Sequence, residues 1–264
     1  MTRLMAILNV TPDSFSDGGE HFDPDDALRA GLQMIADGAD ILDIGGESTR
    51  PGAPAVSADE ESSRVVPVIA QLRSTTDVPI SIDTTKAAVA RDAIAAGATI
   101  INDISGFERD PGMIPLAAES ASDCVVMHMR GTPQTMQKDL HYDDLIGEIQ
   151  GYFQGRIDAL RTAGVADSAI ILDPGIGFAK SAEQNLLLIQ RLAEFTELGF
   201  PILLGTSRKS FIGHTLGIED PAERIWGTAA SVAIGIANGA SIIRVHDVRE
   251  MRQVCDLAAA ITDQ

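Results

Sequence analysis

Eight short apolar segments alternate with longer amphipathic segments along the 264-residue chain. Each short segment is rich in β-branched residues and nearly uninterrupted by polar ones, which is typical of a strand buried on both faces of a parallel sheet. Antiparallel strands with one solvated face would instead alternate apolar and polar residues. The strands run approximately from Leu4 to Asn9, Ala39 to Ile44, Pro79 to Asp83, Thr99 to Ile104, Cys124 to His128, Ala169 to Asp173, Pro201 to Thr206 and Ser241 to His246.

The segments between these strands have helical spacing, and several end at a glycine, the usual helix stop. Predicted helices include Pro24 to Asp37, Ala58 to Ser74, Thr85 to Ala96, Tyr142 to Ala163, Ala182 to Leu198 and Pro221 to Asn238. Strict alternation of strand and helix, counted to eight, predicts an α/β fold: a single-domain (β/α)8 TIM barrel over residues 1–264. The rival is an open doubly wound sheet, but its usual glycine-rich fingerprint does not follow the first strand.

Charge and composition narrow the possible functions. The formal net charge of −18 argues against nucleic-acid binding, which needs clustered Lys and Arg side chains, so any anion site must be locally basic. No apolar run reaches the roughly 18 residues of a membrane span, and the N-terminal segment lacks the apolar region of a signal peptide. Cys124 lies within an apolar run and is expected to be a buried, reduced thiol. We therefore expect a cytoplasmic protein without membrane or nucleic-acid partners.

Polar residues stand at the end of every predicted strand, where barrel enzymes place their chemistry. The residues are Asn9, Asp43, Asp83, Asn102 with Asp103, His128, Asp173, Ser207 to Lys209, and Arg244 with His246 and Asp247. Structure alone rarely requires a polar group at every strand end. Three of them nevertheless have simple structural interpretations. Asp43 could serve the turn that follows it, and Asp247 is expected to cap the last helix. For His128 we expect a structural role rather than a catalytic one.

Asp83 and Asp173 each end an apolar strand, where an unpaired carboxylate would carry a high desolvation cost. A flat heterocycle with adjacent N–H and NH2 donors would satisfy both, and Asn102 would add a donor and an acceptor. The alternative is burial of the two carboxylates in ion pairs with Lys or Arg.

The last two strand ends carry basic groups. Arg244 and His246 are two residues apart on a strand and are expected to project to the same side, as are Ser207 and Lys209. Barrels often bind phosphate near the loops that follow strands seven and eight. Local positive charge in an acidic chain favours an anionic ligand, with an ion-pair network as the alternative.

Two loops complete the predicted pocket. The segment from Gly45 to Gly52 offers Thr49 and Arg50 to an anion, and the segment from Pro174 to Lys180 offers Phe178 as an aromatic wall, unless that ring only packs on the next helix. The sequence lacks zinc-ligand spacing. If a metal is bound, Mg²⁺ held by a pyrophosphate and by Asn9 is the simplest arrangement.

Seven segments of this sequence resemble, in order, those of the dihydropteroate synthase family. They are residues 7–19, beginning Ile-Leu-Asn-Val-Thr-Pro-Asp; 45–52, Gly-Gly-Glu-Ser-Thr-Arg-Pro-Gly; 81–84, Ser-Ile-Asp-Thr; 101–105, Ile-Asn-Asp-Ile-Ser; 172–178, Leu-Asp-Pro-Gly-Ile-Gly-Phe; 207–211, Ser-Arg-Lys-Ser-Phe; and 243–247, Ile-Arg-Val-His-Asp.

The resemblance implies an enzyme of folate biosynthesis that joins 6-hydroxymethyl-7,8-dihydropterin diphosphate to 4-aminobenzoate and releases pyrophosphate. It implies a pterin site at Asp83, Asn102, Asp173 and Lys209, with Asp83, Asp173 and Lys209 catalytic. It further implies that the diphosphate is bound by Asn9, Arg244 and His246, and that Asn9 also binds Mg²⁺. The aminobenzoate site that it implies consists of Thr49, Arg50, Pro51, Phe178 and Ser207. Members of this family are commonly homodimers, and the apolar stretch from Thr228 to Ala237 is either an interface or a cover of the barrel.

Two other functions are compatible with the same ring contacts. A pterin-binding methyltransferase that acts on a corrinoid protein would share the Asp and Asn residues but lack the two substrate loops, which are complete here at residues 11–19 and 48–52. A non-catalytic paralogue is disfavoured by Lys209, Arg244 and His246.

Overall fold

The computed structural model describes residues 2–11, 24–48 and 55–262. These residues carry eight strands, one for each predicted segment. The strands are β1 Arg3–Asn9, β2 Ile41–Gly45, β3 Ile80–Asp83, β4 Ile100–Asp103, β5 Asp123–Met127, β6 Ile170–Asp173, β7 Leu203–Leu204 and β8 Ile242–Val245. Only β7 is much shorter than the predicted span from Pro201 to Thr206, because Ile202 forms an isolated bridge to Leu172 before the strand begins.

Ten α-helices lie between and after these strands in the described residues, together with two short 3-10 helices, Asp167–Ala169 and Pro221–Arg224. The α-helices are α1 Pro24–Ala36, α2 Ala58–Thr75, α3 Ala87–Ala96, α4 Met113–Ser120, α5 Leu145–Thr162, α6 Ala182–Gln190, α7 Ala193–Thr196, α8 Ser210–Leu216, α9 Ile225–Ala237 and α10 Val248–Thr262. The prediction of one helix from Ala182 to Leu198 is wrong. Helix α6 ends where the Asn238 side chain donates to the carbonyl oxygens of Ile189 and Gln190, acceptors that a continuous helix would use itself.

All strand pairs are parallel, and in the order β6-β5-β4-β3-β2-β1-β8-β7 the first and last strands of the chain, β1 and β8, are neighbours. The bridge between Leu172 and Ile202, with a 2.9 Å hydrogen bond from the Leu172 amide to the Pro201 carbonyl, joins β6 to the start of β7. The sheet is thus a nearly closed barrel, and the predicted (β/α)8 architecture is confirmed.

The barrel interior is built in layers because side chains alternate between its two faces. One layer is entirely apolar and fully or almost fully buried: Met5, Ile41, Ile100, Val125, Ile171, Leu203 and Ile242. The inward positions two residues further along β2, β4, β6 and β8 are Asp43, Asn102, Asp173 and Arg244. An apolar plug therefore closes one end of the barrel, and the polar residues begin directly above it.

Helices cover the outside of the barrel, and aromatic rings fill the space beneath α5 and α7. Phe153 is fully buried and meets the fully buried Phe195 edge to face, with ring centroids 5.9 Å apart. We expect Phe153→Ala to lower the free energy of unfolding by about 3–5 kcal/mol, because truncation of a buried ring leaves a cavity. Urea denaturation measures this, with the half-exposed Leu186→Ala as the control. Equal losses in the two variants would contradict the packing.

Three further observations bear on the sequence-based expectations. Cys124 and Cys255 are both buried free thiols, as expected for Cys124. No helix within the described ranges is long and apolar enough to cross a membrane. Helix α10 begins directly after Asp247, as predicted, but the Asp247 carboxylate is bound by the Arg208 guanidinium, with a 3.0 Å bond from Nε.

Candidate active site

The floor of the pocket is a buried network of two carboxylates, one amide and one guanidinium. Arg244 on β8 donates from Nε to Asp43 Oδ2 at 2.6 Å and from an Nη to Asp83 Oδ2 at 2.6 Å. Asn102 on β4 donates its amide N–H to the same Asp43 oxygen at 3.1 Å. Because this bond uses the amide nitrogen, the Asn102 oxygen stays available as an acceptor at the pocket floor.

Asp43 has a different role from the one expected of it. Its carboxylate is fully buried inside the barrel, where it accepts from Asn102 and Arg244, and it does not serve the following turn. Its second oxygen is buried and has no hydrogen-bond partner among the residues that the structure describes, and the same holds for the hydroxyl of Ser81, its neighbour in the strand register. The sequence signal for this position is the alternation of side chains along β2: Ile41 points into the barrel, so Asp43, two residues later, points inward as well.

Arg244 has different partners from His246, the other basic residue at the end of β8. Its guanidinium lies against the two carboxylates, whereas His246 accepts or donates through Nδ1 to the Ser207 hydroxyl at 3.0 Å. The His246 amide also donates to that hydroxyl at 3.2 Å. Asp83 is buried in an ion pair with Arg244, which is the alternative interpretation of this carboxylate.

Asp173 and Lys209 form the second half of the pocket. The Asp173 carboxylate accepts from the Gly175 amide at 2.7 Å, and Lys209 donates from Nζ to the Ile176 carbonyl. The Lys209 Nζ also lies 4.8 Å from the centroid of the half-buried Phe178 ring. Phe178 thus faces the basic side of the pocket, and a cation–π contact orients it there.

Burial dominates the electrostatics of this pocket. It raises the pKa of the Asp83 carboxyl to about 7, against the opposing effect of Arg244, and it raises the pKa of Asp173 against that of Lys209. It lowers the pKa of Lys209 to about 8, with Asp173 opposing. Burial also disfavours the charge on Arg244, but Asp43 and Asp83 more than offset it, so its pKa lies above the ordinary value. The pocket therefore presents a bound ligand with two buried carboxyl groups and two buried basic groups whose charges oppose one another.

The remaining predicted residues lie around the same rim or outside the described chain. Asn9 is half-buried at the end of β1 and pairs in register with Gly45. Thr49, Arg50 and Pro51 lie outside the described residues. Among the described residues nearby, Glu47 accepts from the Val56 amide at 3.1 Å and pairs with Lys86 Nζ at 2.5 Å.

Comparison with known proteins identifies the family. The sequence model described as pterin binding enzyme matches residues 5–246. A dihydropteroate synthase of Synechocystis is 53% identical over 260 residues, which cover 98% of this chain and 90% of that protein. The chain belongs to the dihydropteroate synthase family. The predicted resemblance is confirmed, and the methyltransferase alternative is set aside.

Solved dihydropteroate synthases share the barrel. The enzyme of Clostridium difficile, crystallised in the presence of pteroic acid, matches with a TM-score of 0.93 at 44% identity and covers 100% of this chain and 97% of its own. That of Xanthomonas albilineans, in complex with 7,8-dihydropteroate, matches with a TM-score of 0.90 at 40% identity, covering 100% and 94%. The pocket described above therefore lies in a fold that binds pteroate-type compounds in related synthases.

Proposed function

We propose that this chain condenses 6-hydroxymethyl-7,8-dihydropterin diphosphate with 4-aminobenzoate, giving 7,8-dihydropteroate and pyrophosphate, as an enzyme of folate biosynthesis. The observation that carries the proposal is the group of Asp83, Asn102, Asp173 and Lys209 above an apolar plug, in a chain 53% identical to a dihydropteroate synthase. Buried carboxylates and an amide oxygen suit the N–H and NH2 donors of an aminopyrimidinone ring.

The reaction follows from where charge develops. The C–O bond between the pterin methylene and the diphosphate breaks, and the bonding electrons leave with pyrophosphate. The cation left on the methylene is delocalised into the ring, where the Asp83 and Asp173 carboxylates stabilise it. The aminobenzoate nitrogen then forms the new C–N bond and loses a proton, so no covalent enzyme intermediate is needed.

The leaving group is proposed to lie on the basic side of the pocket. His246, Arg244 and Asn9 are the groups at the ends of β8 and β1, which are adjacent strands of the barrel. Mg²⁺ suits this place because it favours oxygen ligands and is often held by one protein group plus substrate phosphates. The Asn9 amide oxygen would bind it, and the ion would stabilise the charge on pyrophosphate.

The aminobenzoate site is proposed to lie between Phe178, Ser207 and the segment with Thr49, Arg50 and Pro51. The Phe178 ring offers an aromatic face for stacking, and Arg50 would bind the substrate carboxylate through its planar guanidinium. In this arrangement the two substrates meet above Asp173, between the floor and the β6 loop.

The decisive experiment measures pyrophosphate release from purified protein with magnesium, the dihydropterin diphosphate and 4-aminobenzoate. Release that depends on aminobenzoate and is matched by dihydropteroate formation supports the proposal. Tight binding of the dihydropterin diphosphate without product would instead indicate a non-catalytic paralogue.

Ring binding should depend on pH through Asp83, whose pKa is raised by burial to about 7. The ionised carboxylate accepts the ring N–H groups, so affinity for 6-hydroxymethylpterin, which lacks the diphosphate, should fall about tenfold per unit between pH 7 and pH 5. Folding stability changes the other way. Because the folded-state pKa lies above the unfolded value, this group's contribution is lost as pH rises toward 7.

Calorimetric titration across this pH range tests the dependence, with Asp83→Asn as the control that removes the titrating group. An affinity that falls equally in both proteins would assign the effect to the ligand or to another residue.

We further propose a cytoplasmic homodimer. On α9, residues Thr228, Ser231, Val232, Gly235 and Ile236 are buried against the barrel, whereas Ile234 and the preceding Trp226 are 51% and 81% exposed. The same helix therefore covers the barrel with one face and offers an apolar face to a second copy of the chain. Sedimentation of Trp226→Glu should show monomer where the unsubstituted protein shows dimer. An unchanged mass would place the interface elsewhere.

A further inference from the structure

Lys180 is a buried ionisable residue that the proposed reaction does not use. It ends the loop that follows β6, and only 3% of its surface is exposed. Its Nζ lies 3.0 Å from His128 Nδ1, 3.3 Å from the His128 carbonyl oxygen and 2.8 Å from the Phe178 carbonyl oxygen. Three acceptors around one ammonium group match the three N–H bonds that it carries.

His128 is an acceptor in this arrangement. Burial, with smaller effects of Lys180 and Arg130, lowers its pKa to about 2, so the ring is neutral. Because an ammonium group can only donate, the nitrogen that faces Lys180, Nδ1, carries the lone pair. Tyr152 packs edge to face on the His128 ring at 4.9 Å and holds it at the end of β5. The acceptors on β5 are therefore fixed by the barrel, whereas the Phe178 carbonyl belongs to the loop.

The loop between β6 and Lys180 also fits closely against its neighbours. Gly175 adopts a φ of 70°, and a Cβ there would lie 2.0 Å from the His128 carbonyl oxygen. Tyr142 donates from its hydroxyl to the Ala179 carbonyl at 3.1 Å. Lys180 thus bonds the end of β5 directly to the residue that carries the aromatic wall.

We propose that Lys180 is a positioning residue that fixes the Phe178 ring, and with it the aminobenzoate site, by bonding the β6 loop to His128. The proposal rests on the proposed function for the identity of the substrate, but the fixing of the loop is independent of that identity.

The bonds from Lys180 to His128 and Phe178 form a clamp on this loop. Asp83, Asn102 and Asp173 lie on β3, β4 and β6, so strands rather than the clamp hold these three groups of the ring site. The loop bonds to this site through the Ile176 carbonyl, at Lys209, and through the Gly175 amide, at Asp173, so ring binding should depend on the clamp much less than aminobenzoate binding does.

Lys180→Met tests the proposal because it keeps an unbranched side chain, one atom shorter than lysine, and removes all three donors. We expect the KM for 4-aminobenzoate to rise about tenfold, the value of one lost hydrogen-bonding contact, while kcat and the Kd for dihydropterin diphosphate change about twofold or less. Lys180→Gln, which has the same length as methionine but keeps an N–H donor, should give an intermediate KM. Lys138→Met, at an exposed lysine outside the pocket, is the control.

A second readout does not need activity. Amide hydrogen exchange over residues 174–181 should be faster in Lys180→Met than in the unsubstituted protein and Lys138→Met. Unchanged exchange overturns the clamp, and so does an equal rise in the KM for aminobenzoate and the Kd for the pterin. Absence of pyrophosphate release from the unsubstituted protein would overturn the proposed function, and exchange would then decide the clamp. If Lys180→Met does not fold, Lys180→Gln carries both measurements.

Discussion

Turnover should fall by about 100- to 1000-fold in Asp83→Asn, the loss typical of removing one group that stabilises transition-state charge. The substituted side chain keeps the size and hydrogen-bonding oxygen of the original but loses the negative charge that faces the developing cation. Arg244 keeps its bond to Asp43, so the floor retains one of its two ion pairs. Steady-state pyrophosphate release at saturating substrates measures the effect on kcat.

The matched control is Asp123→Asn, which lies at the start of β5, at the opposite end of the barrel from the pocket. It removes one negative charge from the same acidic protein, and turnover should stay close to that of the unsubstituted chain. Undiminished turnover in Asp83→Asn would show that its carboxylate does not stabilise the cation. Equal losses in both variants would assign the effect to overall charge.

The barrel was predictable because its signals are local and repeated. Continuous apolar strands, glycine at helix ends and polar residues after each strand are all readable over a few residues. The break between α6 and α7 was not predictable in the same way. It depends on Asn238, about fifty residues further along the chain, whose side chain supplies donors that the local sequence does not reveal.

The pocket shows the same division between local and long-range information. Asp83, Asn102 and Asp173 stand at strand ends, so their location at one end of the barrel follows from topology. The ionic partners of such residues cannot be inferred in this way. The bond from Arg244 to Asp43, for example, joins residues 201 positions apart and depends on the closure of the sheet. The location of a polar residue can thus be inferred from a strand, whereas its ionic partner requires the register of the whole barrel.

Arg244→Gln should lower both stability and activity, and the two losses have separate causes. Removal of the guanidinium leaves the Asp43 and Asp83 carboxylates buried without their cation, which costs about 3–5 kcal/mol when one member of a buried pair is removed. Loss of a positive charge beside the proposed pyrophosphate site should lower kcat by at least about 100-fold. Denaturant unfolding and pyrophosphate release measure the two effects.

The double variant Asp43→Asn with Arg244→Gln separates the loss of stability from the loss of activity. It removes one buried negative charge along with the cation, so part of the stability should return. Activity should not return, because the proposed pyrophosphate site still lacks the guanidinium. Recovery of both quantities would mean that Arg244 acts only as a counter-ion for the floor. Recovery of neither would mean that Asp43 is needed independently, through its bond to Asn102, to orient the amide that faces the ring.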